Sequence, residues 1–318
     1  EGPNFPALTG AVSRWLPPHA QATALGYTLV AVPLALAIGG PIVPQLLAVL
    51  DWRWTFGVLF ALSVAWVPAW FFLFRDDPAQ STRVNAAELD YIRAEGGEPS
   101  AHGLRSWPKM ADILALLTNR TLIANYWAFF VFGYFLFFFM SWLPSYLHDV
   151  YKLNLSTVGL FTVLPWLAAA VALWLLGRWS DQLLKTTGRL RVARSYLIAG
   201  TQLVAALAVV PVAFSDSLGV AVASITVAVA ASMGANAAYY AVNVDIVPRR
   251  AATALGIMDF GFALSGFLAP ALTGWVLNLR GSFADCFLLM AGLALSSVVV
   301  VLAFHHPDAD RNAASASA

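Results

Sequence analysis

Eight long apolar segments restrict the fold of this sequence more than any other feature. Each has about 20 residues or more, enough for a helix to cross a hydrocarbon core roughly 30 Å thick. Hydrophobic residues make up 60% of the chain and charged residues only 11%, which excludes a water-soluble globular protein. We therefore expect an all-α polytopic membrane protein with spans near residues 22–50, 54–74, 122–147, 157–177, 195–214, 217–247, 252–278 and 282–304.

Residues 1–14 form a ninth apolar stretch, which begins on a glutamate. A helix of that length rises only about 20 Å, which is less than a full crossing. We expect the chain to begin partway along a transmembrane helix. Glu1 would then lie inside the hydrocarbon region if Arg14 marks the far interface.

The basic residues predict the orientation of the chain. If successive segments alternate in direction, one set of loops holds only Arg53, Lys152 and Arg280 of the 18 Lys and Arg residues. The opposite set holds all the others and is therefore expected to be cytoplasmic, together with the C-terminus. We expect a multi-pass protein of the cell inner (plasma) membrane.

The longest polar interval, residues 75–121, separates three apolar segments from six. Many secondary transporters have two six-helix halves joined by a long cytoplasmic loop, with the substrate near the midplane between the halves. We predict four regions: a remainder of an N-terminal bundle, a cytoplasmic loop, a six-helix bundle and a disordered cytoplasmic tail. Their bounds are 1–74, 75–121, 122–304 and 305–318.

Six motifs resemble one known family in the right order and with the right membrane sidedness. They are EGPNFPA with WLPPHAQATALG, DWRWTF, AAELDYIR, SWLPSYL, GRWSDQLL and VPRRAATALG. The chain resembles the anion:cation symporter family of the major facilitator superfamily, and within it bacterial transporters of sugar acids such as galactonate and hexuronates. The match runs from the family's fourth helix to its twelfth. It implies a major facilitator fold lacking its first three helices, with about nine transmembrane segments.

The resemblance also implies a function. The expected activity is secondary active transport by alternating access, with symport of a small organic anion, such as a sugar acid, and protons. Organic-anion exchange is an alternative, and a membrane sensor that transports nothing is a more distant one. We expect a monomer in contact with membrane lipid.

Glu1 matches the acidic residue of the family's fourth helix, which the resemblance implies links proton movement to substrate movement. Apolar surroundings disfavour the charged form of a carboxyl group, so such a group binds a proton and releases it when hydrated. The alternative is a glutamate that makes a polar contact at a helix end.

Asp259, in GIMDFGFALSG, is a second acid within an apolar segment, roughly 10 Å from its cytoplasmic end. Members of the family that the chain resembles have asparagine at the matching position, where it helps to hold the substrate. Three roles are open for Asp259: a second proton site, an acceptor for substrate hydroxyls, or an acid neutralised by a polar neighbouring helix.

That neighbouring helix has a polar face, because Asn236, Tyr239, Tyr240 and Asn243 follow an i, i+3, i+4, i+7 pattern. Amides and phenols in this arrangement are candidates to bind a hydroxylated carboxylate. Equally, polar groups in a bilayer join helices to one another. Tyr134, near the middle of segment 122–147, is a further candidate for substrate binding, or else a packing residue within an aromatic run.

The segment GRWSDQLLKTTGR contains Gly177, Asp181 and Gly188, a pattern similar to the superfamily's cytoplasmic signature. The resemblance implies that Asp181 pairs with a neighbouring helix end and holds one state of alternating access. The alternative is an acid in a surface loop.

Other function classes have little support in the sequence. A net charge of +1 gives no indication of nucleic-acid binding. The single cysteine, Cys286, forms no internal disulfide. A metal site, a cofactor or an enzyme active site is not expected, because the histidines lie in loops or at segment ends without supporting cysteines. These are His19, His102, His148, His305 and His306.

Overall fold

The structure is a computed structural model that describes residues 11–12, 15–16, 18–75, 77–81, 83–94, 110–247 and 250–316. Those residues form helices and connecting segments, with no strand among them. They divide into two compact units. One contains the described residues up to Thr28 and those from Ile42 to Ala94, and the other contains Leu29–Pro41 and everything described from Met110 onward.

The helices follow one another with short connections. In chain order they are α1 (Pro18–Val49), α2 (Trp52–Leu73), α3 (Ala86–Ala94), α4 (Met110–Thr118), α5 (Arg120–Tyr151), α6 (Leu155–Thr187), α7 (Tyr196–Phe214), α8 (Leu218–Gly234), α9 (Asn236–Ile246), α10 (Ala251–Arg280), α11 (Phe283–Phe304) and α12 (Pro307–Ala316). A 3₁₀ turn (Pro78–Gln80) lies between α2 and α3, and a π-helical turn (Arg191–Ser195) leads into α7.

Eight spans in the described part of the chain are long and apolar enough to cross a membrane. They correspond to the eight predicted segments, so that prediction is confirmed. One span, Leu218–Ile246, consists of two helices, α8 and α9, joined by a turn at Ala235. Most of the predicted ninth segment, including Glu1 and Arg14, lies outside the described residues.

Side chains at the helix ends explain where the spans begin and end. Asn119 and Asn154 accept hydrogen bonds from the backbone N–H groups of Leu122 and Thr157, each at 2.9 Å, and so cap α5 and α6. Gly188 ends α6 in the left-handed conformation, with φ of 65° and its N–H bonded to the carbonyl of Leu184.

Helix α5 is the centre of the larger unit. It packs against α10 and α11, while α11 packs against α7, α7 against α8, and α8 against α6. The aromatic run of α5 lies inside this bundle, where the ring of Phe129 is 5.1 Å from that of Phe262 on α10. Gly133 lets the two helices approach closely, because a Cβ there would lie 2.7 Å from Cδ2 of Phe262.

The C-terminal tail differs from the prediction of disorder, because Pro307–Ala316 forms helix α12. Composition alone favours disorder in this polar segment. Two observations explain the helix: Asp308 and Asp310 lie in its first turn, where they complement the helix dipole, and Asp308 binds the backbone at the start of the π-helical turn that leads into α7.

His305, between α11 and α12, is fully buried. Its Nδ1 lies 2.6 Å from Oγ of Ser195. Burial lowers the pKa of His305 to about 3, and the charges of His306 and Arg191 act in the same direction. The imidazole is therefore neutral near neutral pH.

This shift predicts a pH dependence of stability. Because the folded-state pKa lies below that of the unfolded chain, unfolding takes up a proton, and the free energy of unfolding falls as the pH drops from about 6.5 toward 3. Between pH 7 and pH 5 this residue should cost the intact protein roughly 2 kcal/mol. The His305→Gln variant should lose that part of the pH dependence.

Thermal unfolding in detergent at pH 7 and pH 5 measures the effect. The control is His148→Gln, which changes an exposed histidine and should leave the wild-type pH dependence in place. If His305→Gln and wild type lose the same stability at pH 5, His305 is not buried in its neutral form.

Candidate functional site

The structure places all the predicted site residues except Glu1 in the larger unit. Glu1 lies outside the described residues. The others fall into two groups: polar residues on α5, α9 and α10 within the predicted membrane spans, and Gly177, Asp181 and Gly188 at the end of α6.

The polar face of α9 divides into enclosed and accessible residues. Tyr239 and Asn243 are fully buried, and Asn236 is only 7% exposed. Tyr240 is half-buried. The turn at Ala235 begins a new helix at Asn236, so the whole of the predicted face belongs to α9.

Three amide side chains converge on Tyr239. Nε2 of Gln202 on α7 donates to the phenol oxygen of Tyr239 at 2.9 Å. Nδ2 of Asn125 on α5 and Nδ2 of Asn243 donate to the Tyr239 carbonyl at 3.0 and 2.9 Å. Buried amides of this kind need partners inside the protein. The network therefore joins α5, α7 and α9.

Sequence reasoning did not find Asn125 and Gln202. Each is an isolated amide within an apolar segment, in IANYW and GTQLV. In a bilayer a lone amide of this kind is costly unless it bonds to another helix. An amide within an apolar segment is therefore the sequence feature that could have indicated these contacts between helices.

Asp259 and Tyr240 form a separate pair between α10 and α9. The Tyr240 hydroxyl donates to Oδ1 of Asp259 over 3.4 Å, a long hydrogen bond, and both residues are half-buried. The edge of Phe129 meets the Tyr240 ring at 5.5 Å. This group combines a carboxyl, a phenol and an aromatic surface, which suits contact with the hydroxyl groups and carbon skeleton of a small polar molecule.

Tyr134 lies on the same helix as Phe129 but is 1% exposed. Like Tyr239, it is enclosed by the bundle. Asn236 keeps a buried Oδ1 that has no hydrogen-bond partner within the described part of the chain.

A buried arginine links three segments next to the end of α6. Arg194, in the π-helical turn, is 6% exposed. Its Nη1 lies 3.0 Å from Oδ1 of Asp181, and its Nε lies 3.6 Å from Oδ2 of Asp245 at the end of α9. Nη1 also donates to Oγ of Ser180 at 2.6 Å. We name Arg194, Asp181 and Asp245 the ion cluster.

Asp181 thus pairs with the start of α7, and the ion cluster supplies a second acid that sequence reasoning did not find. Asp245 stands one residue before the end of an apolar helix, a position that marked it as unusual. Gly177 lies where α6 and α9 approach, since a Cβ there would be 3.8 Å from Cβ of Ala237. Within the described residues no group of three His, Cys, Asp or Glu is placed to hold a metal ion.

Comparisons with known proteins all point to the same family. A model of the Major Facilitator Superfamily matches residues 1–233. The hexuronate transporter of Bacillus subtilis is 30% identical over 96% of this chain and 70% of its own length. A probable sulfoacetate transporter of Cupriavidus necator is 30% identical over 97% and 72%, and the D-galactonate transporter of Escherichia coli is 27% identical over 93% and 69%.

Solved structures support the fold. A bacterial homologue of the human lysosomal transporter Spinster, in an inward-facing unoccupied conformation, has a TM-score of 0.54 and 16% identity, over 95% of this chain and 72% of that one. The matching relatives are transporters and not enzymes. With a family model covering most of the sequence and relatives at 30% identity, the resemblance to sugar-acid and anion transporters is confirmed. This multi-pass membrane protein is a secondary transporter and belongs to the major facilitator superfamily.

Proposed function

We propose that this transporter takes up a small organic anion, a sugar acid or a related hydroxy-carboxylate, together with protons. The observation that carries the proposal is the half-buried pair of Asp259 and Tyr240 within two membrane spans. An acid in such a position is costly unless it serves a function. The similarity to transporters named for hexuronate and D-galactonate suggests the substrate class.

We assign substrate contact to the accessible part of the polar face. Asp259 and Tyr240 share a long hydrogen bond, so substrate hydroxyls can replace it at little cost. Asn236 is buried rather than accessible, and its Oδ1, like those of Asn125 and Asn243, has no hydrogen-bond partner within the described residues. We propose that it adds to the site only where a water or a ligand hydroxyl reaches that oxygen.

Tyr134, Tyr239 and Asn243 have a supporting role in this proposal. They were predicted to bind the substrate, but the bundle encloses them, and Tyr239 and Asn243 have partners on the bundle helices. We propose that they hold Tyr240 and the start of α9 in place.

The ion cluster is proposed to stabilise one state of alternating access at the cytoplasmic end of the bundle. Arg194 is buried while its two carboxylate partners are partly exposed, so separating them leaves an uncompensated guanidinium inside the bundle, and the cluster favours one arrangement of α6, α7 and α9. Gly177 and Gly188 support it by letting α6 approach α9 and by turning the chain after α6. The proposed location is the cell inner membrane, with the C-terminus in the cytoplasm and the protein acting as a monomer.

Proton coupling is the first part of the proposal to test. We expect vesicles that contain the intact protein to accumulate radiolabelled galactonate or glucuronate when a proton gradient is imposed. One pH unit should support up to about tenfold accumulation per coupled proton, because it is worth about 1.4 kcal/mol. The Glu1→Gln variant should lose accumulation and keep counterflow, since a neutral isostere imitates the protonated acid.

Uptake that ignores the gradient for every anion tested would exclude proton symport and favour exchange of one organic anion for another. Counterflow of unlabelled against labelled anion, measured in the same vesicles without a gradient, separates these two activities.

The role of Asp259 is tested by the Asp259→Asn variant. This change introduces the asparagine that members of the anion:cation symporter family have at the matching position. A hydrogen bond to a charged group is worth about 1.5–3 kcal/mol, so the apparent affinity for the anion should change about tenfold or more. Accumulation should persist. The control Asp216→Asn changes an exposed acid outside the membrane spans and should leave affinity unchanged.

Uphill uptake and counterflow are compared for both acids. If Asp259→Asn abolished accumulation but kept counterflow, while Glu1→Gln behaved as wild type, the roles of the two acids would be reversed.

A further inference from the structure

Helix α12 lies against the turn between α6 and α7, which contains Arg194 of the ion cluster. Its Asp308 carboxylate accepts two hydrogen bonds from the backbone of that turn, at 2.7 Å from N of Leu190 and at 2.9 Å from N of Arg191. Arg311, one helical turn further along α12, donates to the carbonyl of Gly188 at 2.9 Å and contacts Asp308 at 3.3 Å. The C-terminal helix therefore caps the N-terminus of the π-helical turn that leads into α7.

The last residue of the π-helical turn is also bound by the C-terminal part of the chain. Ser195 and His305, both fully enclosed, share a hydrogen bond of 2.6 Å. Since the pKa of His305 is lowered to about 3, its imidazole is neutral near neutral pH and this bond persists there. Arg191, at the start of the turn, also lies 2.7 Å from Nδ1 of His306.

These contacts bracket Arg194. Asp308 binds the residues at the start of the five-residue π-helical turn, His305 binds its last residue, and Arg194 lies between them. The turn is also tied to α6, because Oγ of Ser180 donates to the carbonyl of Ala193 at 2.7 Å. Single π-helical turns within helices are rare and occur frequently at functional sites.

We propose that the C-terminal segment positions Arg194, so that docking of α12 on the turn is required for the ion cluster to close. Asp308 and His305 are positioning residues in this scheme and act through Arg194. The inference rests on the proposed role of the ion cluster in alternating access. It adds a means of control: release of the tail at the cytoplasmic face opens the ion cluster without any change in the cluster's own residues.

A simple cap and a positioning residue make different predictions. A cap stabilises α7 whether or not Arg194 is present, so its loss combines independently with the loss of Arg194. A positioning residue acts only through Arg194, so its removal has no further effect on the ion cluster once the guanidinium is gone. A double-mutant cycle distinguishes the two.

The experiment measures how fast a cysteine at residue 237 reacts with a membrane-impermeant maleimide from the cytoplasmic side. Ala237 is suitable because it lies where α6 and α9 meet beside Gly177. The Ala237→Cys variant is made in the intact protein with Cys286→Ser. In parallel, labelling of native Cys286, which is buried in α11, reports global unfolding in the same set of variants.

We expect Arg194→Gln and Asp308→Asn each to speed labelling at residue 237 at least about fivefold, within the usual range of coupling between sites. The double variant should label no faster than Arg194→Gln alone. Labelling of Cys286 should not change in any of them. The matched control is Asp310→Asn, which removes the same charge from α12 at a residue bonded to Asn119 rather than to the turn, and it should change labelling less than about twofold.

Two results would overturn the inference separately from the proposed function. Labelling rates that multiply in the double variant, or an Asp308→Asn variant with the wild-type rate, would make α12 a simple cap. If Arg194→Gln itself had no effect, the gating role of the ion cluster would fail, and this inference with it. Should Asp308→Asn not be recovered from membranes, the same cycle with Ser195→Ala, which removes the bond to His305, decides between positioning and capping.

Discussion

Water is excluded from the hydrocarbon core, so each polar side chain that a helix carries into it needs a partner inside the protein. The larger unit of this transporter supplies partners of this kind on neighbouring helices. Gln202, Asn125 and Asn243 bind Tyr239 and so join α5, α7 and α9. Near the end of α6, Arg194 lies between Asp181 and Asp245 and joins α6, α7 and α9. The polar groups that are costly to bury therefore also fix the arrangement of the bundle.

The pair of Asp259 and Tyr240 differs from these networks. Its hydrogen bond is long and its members are half-buried, whereas the amides around Tyr239 are enclosed and make bonds near 3 Å. Burial and bond length thus separate groups that hold helices together from groups that are available to a ligand. In the proposed function, the enclosed network around Tyr239 holds the helices rigidly, and the Asp259–Tyr240 pair can rearrange to contact a substrate.

The spans were predictable from the sequence, because a bilayer demands long apolar helices and charged loops between them. The pattern of α9 was predictable too, since helical spacing shows which residues share a face. It does not show what that face packs against, so the enclosure of Tyr239 and Asn243 could not be foreseen. The break at Ala235 lies between Gly234 and Asn236, two residues that weaken a helix, but the hydropathy of the segment continues across it. The pairing of Arg194 with Asp245 and the docking of Asp308 both join residues far apart in the chain, and local sequence carries no record of such contacts.

Two adjacent tyrosines test the central claim most directly, because each loses only a hydroxyl group in the change to phenylalanine. Binding of galactonate or glucuronate to the purified intact protein is measured by calorimetry, together with thermal unfolding. Tyr240→Phe should weaken binding about five- to tenfold with little change in the melting temperature, since its hydroxyl bonds Asp259 and is proposed to contact the substrate. Tyr239→Phe should lower the melting temperature and keep the dissociation constant, since its hydroxyl serves Gln202. The opposite pattern, with Tyr239→Phe weakening binding and Tyr240→Phe only destabilising the fold, would contradict the division between scaffold and site.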